Sequence, residues 1–387
     1  MPVIDDRISA KKPGTLLELA RFNDERRMMK KSSILAVAAL TGAAAVMLAG
    51  CSSGGGGNGG STEEGGDAAD RACVILPDAA SSPRWENLDR TFLQEGLEEA
   101  GFDVDIQNAQ GDVNKYSTIA DQQLTQGCGV MLLVDYQGAA EAVAADAKAE
   151  GIPVIAYDRP FAGADYYVSF DNEEVGRLEG QLVLDGLEAK GVAPADATVV
   201  YMGGDPTDGN AKMFHDGAVE VMEAAGITAA AEPPGVWDQA KSQTNFEQAL
   251  TSLNGQVDGV WVANDTNAAG VIKVLQDNNL QGVAVSGQDA NVAGLQNILL
   301  GWQTGTVWKQ VNLEADAAIE TAVALLKGET PEADAELEDG TPYIQVAPTV
   351  VGPNEVKEVV AAGGYASYDD VCTPEVEAKC AEFGVTE

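Results

Sequence analysis

The 387-residue sequence predicts an α/β chain folded as two doubly wound parallel-sheet lobes. Three observations carry this expectation. Short apolar runs without inside–outside alternation recur between amphipathic stretches, the pattern of strands covered on both faces by crossover helices. The pattern occurs twice, and the halves echo each other: Gly129-Val-Met-Leu-Leu-Val-Asp135 followed by Ile155-Ala-Tyr-Asp-Arg159 parallels Gly259-Val-Trp-Val-Ala-Asn-Asp265 followed by Val285-Ser-Gly-Gln-Asp289. In each half an apolar strand delivers polar residues at its carboxyl end, the edge where open α/β sheets bind ligands.

Taken in order, Ala72 to Leu76 reads as the first strand. Glu86 to Ala100 reads as a helix, with Leu88, Phe92, Leu93 and Leu97 at helical spacing. Val104 to Gln107 is the next strand, Ile119 to Gln126 lies on a helix, and Gly129 to Val134 is a buried-type strand. A helix over Ala139 to Gly151 and a strand over Pro153 to Tyr157 complete the first series. The second runs through Thr198 to Met202, a helix over Ala211 to Ala225, Gly259 to Ala263, a helix over Asn267 to Asn278, and Val283 to Ser286.

Ahead of both series stands a leader. Met28-Met29-Lys30-Lys31 is a positive start, Ile34 to Met47 is apolar, and Leu48-Ala49-Gly50-Cys51 closes small residues on a cysteine. This is the pattern of a secretory signal with a lipobox, in which Cys51 is lipidated and becomes the new N-terminus. The rival is an uncleaved membrane span, but Ala and Gly dominate the run and no stop-transfer flank follows. Residues 1–27 serve no export purpose, and translation is expected to start at Met28 or Met29. Residues 51–71 carry the lipid and a Gly/Ser-rich tether unable to bury a core. The expected location is extracytoplasmic, held to the cell membrane by lipid on Cys51.

Formal net charge is −38, which disfavours nucleic acid as a partner. Of five cysteines, four remain after Cys51, an even number for an oxidising compartment. Cys73 opens the first strand and Cys128 precedes the third, neighbours in a doubly wound sheet, so Cys73–Cys128 is the expected bridge; Cys372–Cys380 then staples the tail. A metal site is the rival, but the spacing is wrong and His215 is the only histidine. No cofactor is expected: Gly203-Gly204-Asp205 lacks both the P-loop Lys-Ser/Thr and the full dinucleotide pattern.

Polar side chains gather at the strand ends: Arg84-Trp85, Asp158-Arg159, Asp208 and Asn210, Asn264-Asp265, and Asp289. Trp85 and Trp237 fall in loops. Planar Asp, Asn and Arg groups can bind adjacent sugar hydroxyls in pairs, while aromatic rings pack on the apolar faces of a pyranose. Each has a plainer reading. Asp265 is as readily an N-cap, Asp171-Asn172 shapes a crossover turn, Trp261 and Trp308 belong to the core, and His215 is a surface residue.

Several motifs then combine. Ser82-Pro-Arg84-Trp85, Ala156-Tyr157-Asp158-Arg159, Ser169-Phe-Asp-Asn172-Glu-Glu-Val-Gly176, Met202-Gly-Gly-Asp-Pro206-Thr-Asp208-Gly-Asn210-Ala-Lys212 and Ser286-Gly-Gln-Asp289-Ala resemble the periplasmic D-xylose-binding proteins, in order from about Ala72 to Tyr368. These belong to the type I sugar-binding family of ABC importers. The resemblance implies that Arg84 and Arg159 donate to ring and anomeric oxygens, and that Asp158 and Asp208 accept from hydroxyls. It further implies that Asn210, Asn264 and Asp289 complete the shell, that Trp237 stacks on the sugar, that Trp85 forms a second wall, and that Lys309 lies at the cleft. Gly209 stands where Asn is more usual, Gly235 to Gln243 departs from the family's wording, and the Cys372–Cys380 tail has no counterpart.

The resemblance also implies three hinge crossovers, near Asp171 to Gly176, Gly305 to Val311 and Gly340 to Val346. The lobes are then 72–174 plus 309–340 and 175–308 plus 341–371, with 372–387 as a stapled tail. The expected function is capture of a monosaccharide, D-xylose first, by lobe closure, for delivery to an ABC permease. Glucose, galactose or ribose, or service to a chemoreceptor, is the alternative. The expected state is a monomer. A glycosidase would need one carboxyl of raised pKa, whereas these acids are bracketed by Arg and Asn. Export and the lack of a helix-turn-helix argue against a sugar-responsive transcription factor.

Overall fold

The computed structural model describes residues 70–362 and 366–387; the leader, Cys51 and most of the tether lie outside them. The first lobe is a seven-stranded sheet. Its strands are β1 (Arg71–Leu76), β2 (Asp103–Asn108), β3 (Val130–Leu133), β4 (Val154–Tyr157), β5 (Tyr166–Phe170), β10 (Ala335–Glu336) and β11 (Pro342–Val346), in the order β10-β11-β5-β4-β3-β1-β2. All neighbours are parallel except the β10–β11 hairpin. β1 explains the doubly wound pattern residue by residue. Cys73 and Ile75 enter the core on one face, Val74 and Leu76 the core on the other, so after Arg71 no position is left to be polar. Helices α1 (Arg90–Glu99), α2 (Val113–Gln126), α3 (Ala139–Ala149) and α9 (Val311–Leu326) belong to this lobe.

The second lobe has a three-stranded parallel sheet, β6 (Val199–Met202), β7 (Gly259–Val262) and β8 (Ala284–Val285), in that order. Its helices are α4 (Asn172–Lys190), α5 (Gly209–Ala224), α6 (Gln239–Ser252), α7 (Asp265–Asp277) and α8 (Val292–Leu299). A two-stranded ribbon of β9 (Thr306–Trp308) and β12 (Thr349–Val351) flanks it. Trp261 is fully buried with its indole N–H on Glu179 Oε2 at 2.9 Å, and Trp308 is also buried, as expected of core residues. His215 stays partly exposed beside Glu232.

Two crossovers fall where the sequence puts them. Asp171, between β5 and α4, accepts from the Glu174 N–H at 3.0 Å and so turns the chain into the helix. Lys309 and Gln310 join β9 to α9. The third is displaced. Pro342–Val346 was expected to open the second lobe, but it pairs in parallel with Tyr167–Phe170 and therefore extends the first sheet. Gly340, read as the interlobe break, is a hairpin turn residue with φ of 87°, closing β10 onto β11. The crossing lies between Val346 and Thr349 instead.

Cys73 is bonded to Cys128, tying β1 to the start of β3, and Cys372 to Cys380. The tail forms α10 (Val356–Ala362), α11 (Tyr368–Val371) and α12 (Glu377–Phe383). Val356, Val359, Val371, Val376 and Cys380 pack with Leu295, Ile298 and Trp308 in a core of their own, so the tail is a buttress of the second lobe. Among the described residues no helix is long and apolar enough to cross a membrane.

Candidate functional site

The carboxyl ends of both sheets face one another across a cavity of about 30 Å³. All ten residues singled out as ligand contacts line it: Arg84, Trp85, Asp158, Arg159, Asp208, Asn210, Trp237, Asn264, Asp289 and Lys309. Ser81, Ser82, Phe214 and Gln288 join them. On either side the interlobe cleft widens, to about 490 Å³ beside Asp135, Tyr136 and Trp237, and to about 350 Å³ beside Arg84, Asp289 and Lys309.

Arg84 precedes a single π-helical turn, Trp85–Asp89, which brings Asp89 back under its own guanidinium. Nε and Nη2 donate to the two Asp89 oxygens at 2.9 and 2.6 Å, Nη1 donates to Asp158 Oδ2 at 2.8 Å, and Nη2 also meets Glu314. The Tyr157 hydroxyl donates to Asp89 at 2.6 Å. Sequence reasoning missed Asp89 and Glu314, since each reads as an ordinary helical acid. Burial pushes the Glu314 carboxyl well above its usual range; Arg84 opposes this, while Asp158 and Asp89 add to it.

Asp158 sits at φ of 62°, just past the end of β4, which aims its carboxyl into the cleft. Burial works to raise its pKa, but Lys309, Arg84 and Arg159 together outweigh burial and hold the carboxyl below its ordinary value. Lys309 Nζ lies 3.7 Å from Asp158 Oδ2 and 3.6 Å from Asp289 Oδ1, bridging the lobes from its crossover. Trp85 is a wall of a particular kind. Its ring carries the Arg84 guanidinium at 4.6 Å and the Arg159 guanidinium at 5.3 Å, so it orients two cations by its π face.

The second lobe supplies Asp208 as the N-cap of α5. One oxygen accepts from the Asn210 N–H at 2.9 Å, and the other faces Arg159 Nε at 3.1 Å and the Trp237 indole N–H at 3.0 Å. Burial raises the Asp208 pKa against the pull of Arg159. Trp237 owes its place to glycine. A Cβ on Gly204 would come within 2.1 Å of the indole, so the Gly203-Gly204 stretch that lacks a phosphate-loop sequence is instead the bed of this ring. Asn210 spans the lobes, donating to the Asp158 carbonyl at 2.7 Å and accepting from the Tyr167 hydroxyl at 2.7 Å. Asn172 reinforces the link through Tyr167, Ser169 and Asn210.

Asn264, not Asp265, caps α7, its side chain accepting from the Asn267 N–H at 2.8 Å. Asp289 has φ of 94° and lies 3.4 Å from the Ser82 hydroxyl of the other lobe. The arrangement thus offers carboxylates, guanidiniums, an ammonium, three amides and two indoles around one small space. That donor set suits a neutral polyol presenting both donors and acceptors.

Comparison with known proteins bears on the family and the fold. Residues 73–330 match the periplasmic binding protein domain family. The D-xylose-binding periplasmic protein of Escherichia coli is 35% identical over 294 residues, covering 73% of this chain and 87% of that protein. An ABC transporter solute binding protein from Clostridium phytofermentans, solved with bound β-D-glucose, superposes with a TM-score of 0.69 at 26% identity, over 78% of this chain and 99% of its own. A carbohydrate transporter solute binding protein from Chloroflexus aurantiacus, in complex with D-glucose, gives 0.67 at 28% identity, over 77% and 97%. These relatives are sugar receptors, not enzymes. The chain belongs to the type I sugar-binding family of periplasmic binding proteins.

Proposed function

We propose that this protein captures an aldopyranose, D-xylose foremost, between its lobes and presents the closed complex to an ABC permease from a lipid anchor at Cys51. One observation supports the site most: ten residues chosen from sequence, drawn from both lobes and a crossover, line a single cavity. In this conformation the charged groups satisfy one another across the cleft, Arg159 with Asp208 and Lys309 with Asp158 and Asp289. A cavity of about 30 Å³ accommodates on the order of two water-sized bodies. A sugar ring therefore enters with the lobes parted, and its hydroxyls take over bonds that the side chains make to each other. Ligand bonded to both lobes only when they close shifts the population to the closed state.

Xylose is favoured over glucose by the higher identity to the D-xylose-binding relative; the two glucose-bound structures favour a hexose as the second reading. A thermal-shift panel of xylose, glucose, galactose, ribose and arabinose separates them. The bound sugar at a hundred times its Kd stabilises by about 2.7 kcal/mol, and a panel with no shift removes the sugar assignment. For the anchor, metabolic labelling with a fatty acid should mark the wild-type chain and not Cys51→Ser; equal labelling of both would refute it.

A further inference from the structure

Behind the cavity of about 30 Å³ lies a carboxylate that does not line it, its residue bordering instead the wider part of the cleft beside Asp289 and Lys309. Asp265, the first residue of α7, is fully buried. Its Oδ2 accepts from the Asn291 backbone N–H at 3.0 Å and from the Thr306 hydroxyl at 3.0 Å, and its Oδ1 from Gln303 Nε2 at 2.7 Å. The chain around it is cut to make room. A Cβ on Gly287 would lie 2.3 Å from Oδ1, and one on Gly294 would lie 2.3 Å from Oδ2. Three donors and two omitted side chains form a mould for this one group.

What the mould holds is the turn that carries Asp289. Asp289 and Ala290 have φ of 94° and 52°, left-handed conformations that non-glycine residues hold only where the surroundings impose them. The imposing bonds all lead to Asp265 or to β9. The Asp289 N–H donates to the Val307 carbonyl at 2.9 Å, the Ala290 N–H to the Thr306 hydroxyl at 3.3 Å, and the Asp265 N–H to the Gln288 carbonyl at 3.0 Å. The Thr306 hydroxyl accepts from Ala290 and passes its own proton toward Asp265, so the carboxylate reaches the turn twice, through Thr306 and through Asn291. The same strand runs on to Lys309, the cation that faces Asp289.

We infer that Asp265 is a positioning residue of the cleft: acting through Thr306 and Asn291, it sets the aim of Asp289 while touching no ligand. This rests on the reading of the cleft as a sugar site. The test is calorimetric titration of D-xylose and D-glucose into the full protein, wild type and variants, with each variant's melting temperature measured without sugar. Asp265→Asn and Thr306→Val should each weaken binding about tenfold or more, the loss of one buried hydrogen bond, whereas Thr306→Ser, which keeps the hydroxyl, should bind as wild type. The double variant should be no weaker than the worse single one, because the Thr306 route is one of the two that run through Asp265. If Asp265→Asn does not fold, the contrast of Thr306→Val with Thr306→Ser decides alone. Lowered melting temperatures with unchanged affinity would show a purely structural carboxylate and overturn the inference. Wild-type protein that binds neither sugar, or Asp289→Ala that binds like wild type, would instead overturn the site reading on which the inference stands.

Discussion

Two fully buried acids of the second lobe, Glu179 and Asp265, both have raised pKa values, chiefly because burial disfavours their charge. For Glu179 the Trp261 hydrogen bond pulls the other way; for Asp265 the Gln303 bond does, and the value reaches about 8 against an ordinary 3.8. An acid raised on folding holds more protons folded than unfolded, so its contribution is complete below the unfolded value and is lost as pH climbs through the folded one. For Asp265 that window spans 3.8 to about 8. Melting temperature should fall as pH is raised from about 5 to about 9, and the fall should be shallower in Asp265→Asn. A flat profile in the wild type would mean that these acids are charged at neutral pH. Residue by residue, the sequence exposed the cleft groups because they sit at strand ends, where direction is set by the fold. It hid Asp89 and Glu314. Arg84 and Asp89 are five apart, a spacing that does not meet on an α-helix, and only the π turn at Trp85–Asp89 joins them.

At the scale of elements, strands that alternate between two cores announced themselves as apolar runs, and the internal echo of the halves was legible for the same reason. The third crossover was not. Pro342–Val346 is an edge-side strand with a mixed burial pattern, and nothing local distinguishes pairing with β5 from entry into the second lobe. The disulfides divide by loop length. Cys73–Cys128 closes 55 residues and Cys372–Cys380 only 8. In the chain-entropy account, removing the first destabilises by about 4 kcal/mol and the second by about 2.5 kcal/mol. Urea melts of Cys73→Ser/Cys128→Ser and Cys372→Ser/Cys380→Ser should keep that order. The reverse order would show that packing of the tail on α8, rather than chain entropy, governs its bridge.

For the whole molecule, the proposed function is capture by closure. The lobes are linked by three crossovers; across the cleft Arg159 pairs with Asp208 of the other lobe, and Lys309 reaches from its crossover to Asp158 and Asp289, so opening would separate charges that a sugar would otherwise bridge. The fold and the cleft follow from patterning that any aldose receptor of this family would share. Choice among aldoses depends on hydroxyl-by-hydroxyl geometry, to which a list of residue types is blind. The direct test is isothermal titration calorimetry of the purified protein with D-xylose, glucose, galactose, ribose and arabinose in turn. Saturable one-to-one binding of xylose with a Kd of about 1 μM or tighter, roughly −8 kcal/mol or better, is the expected result. Heats of dilution alone across all five sugars would contradict it.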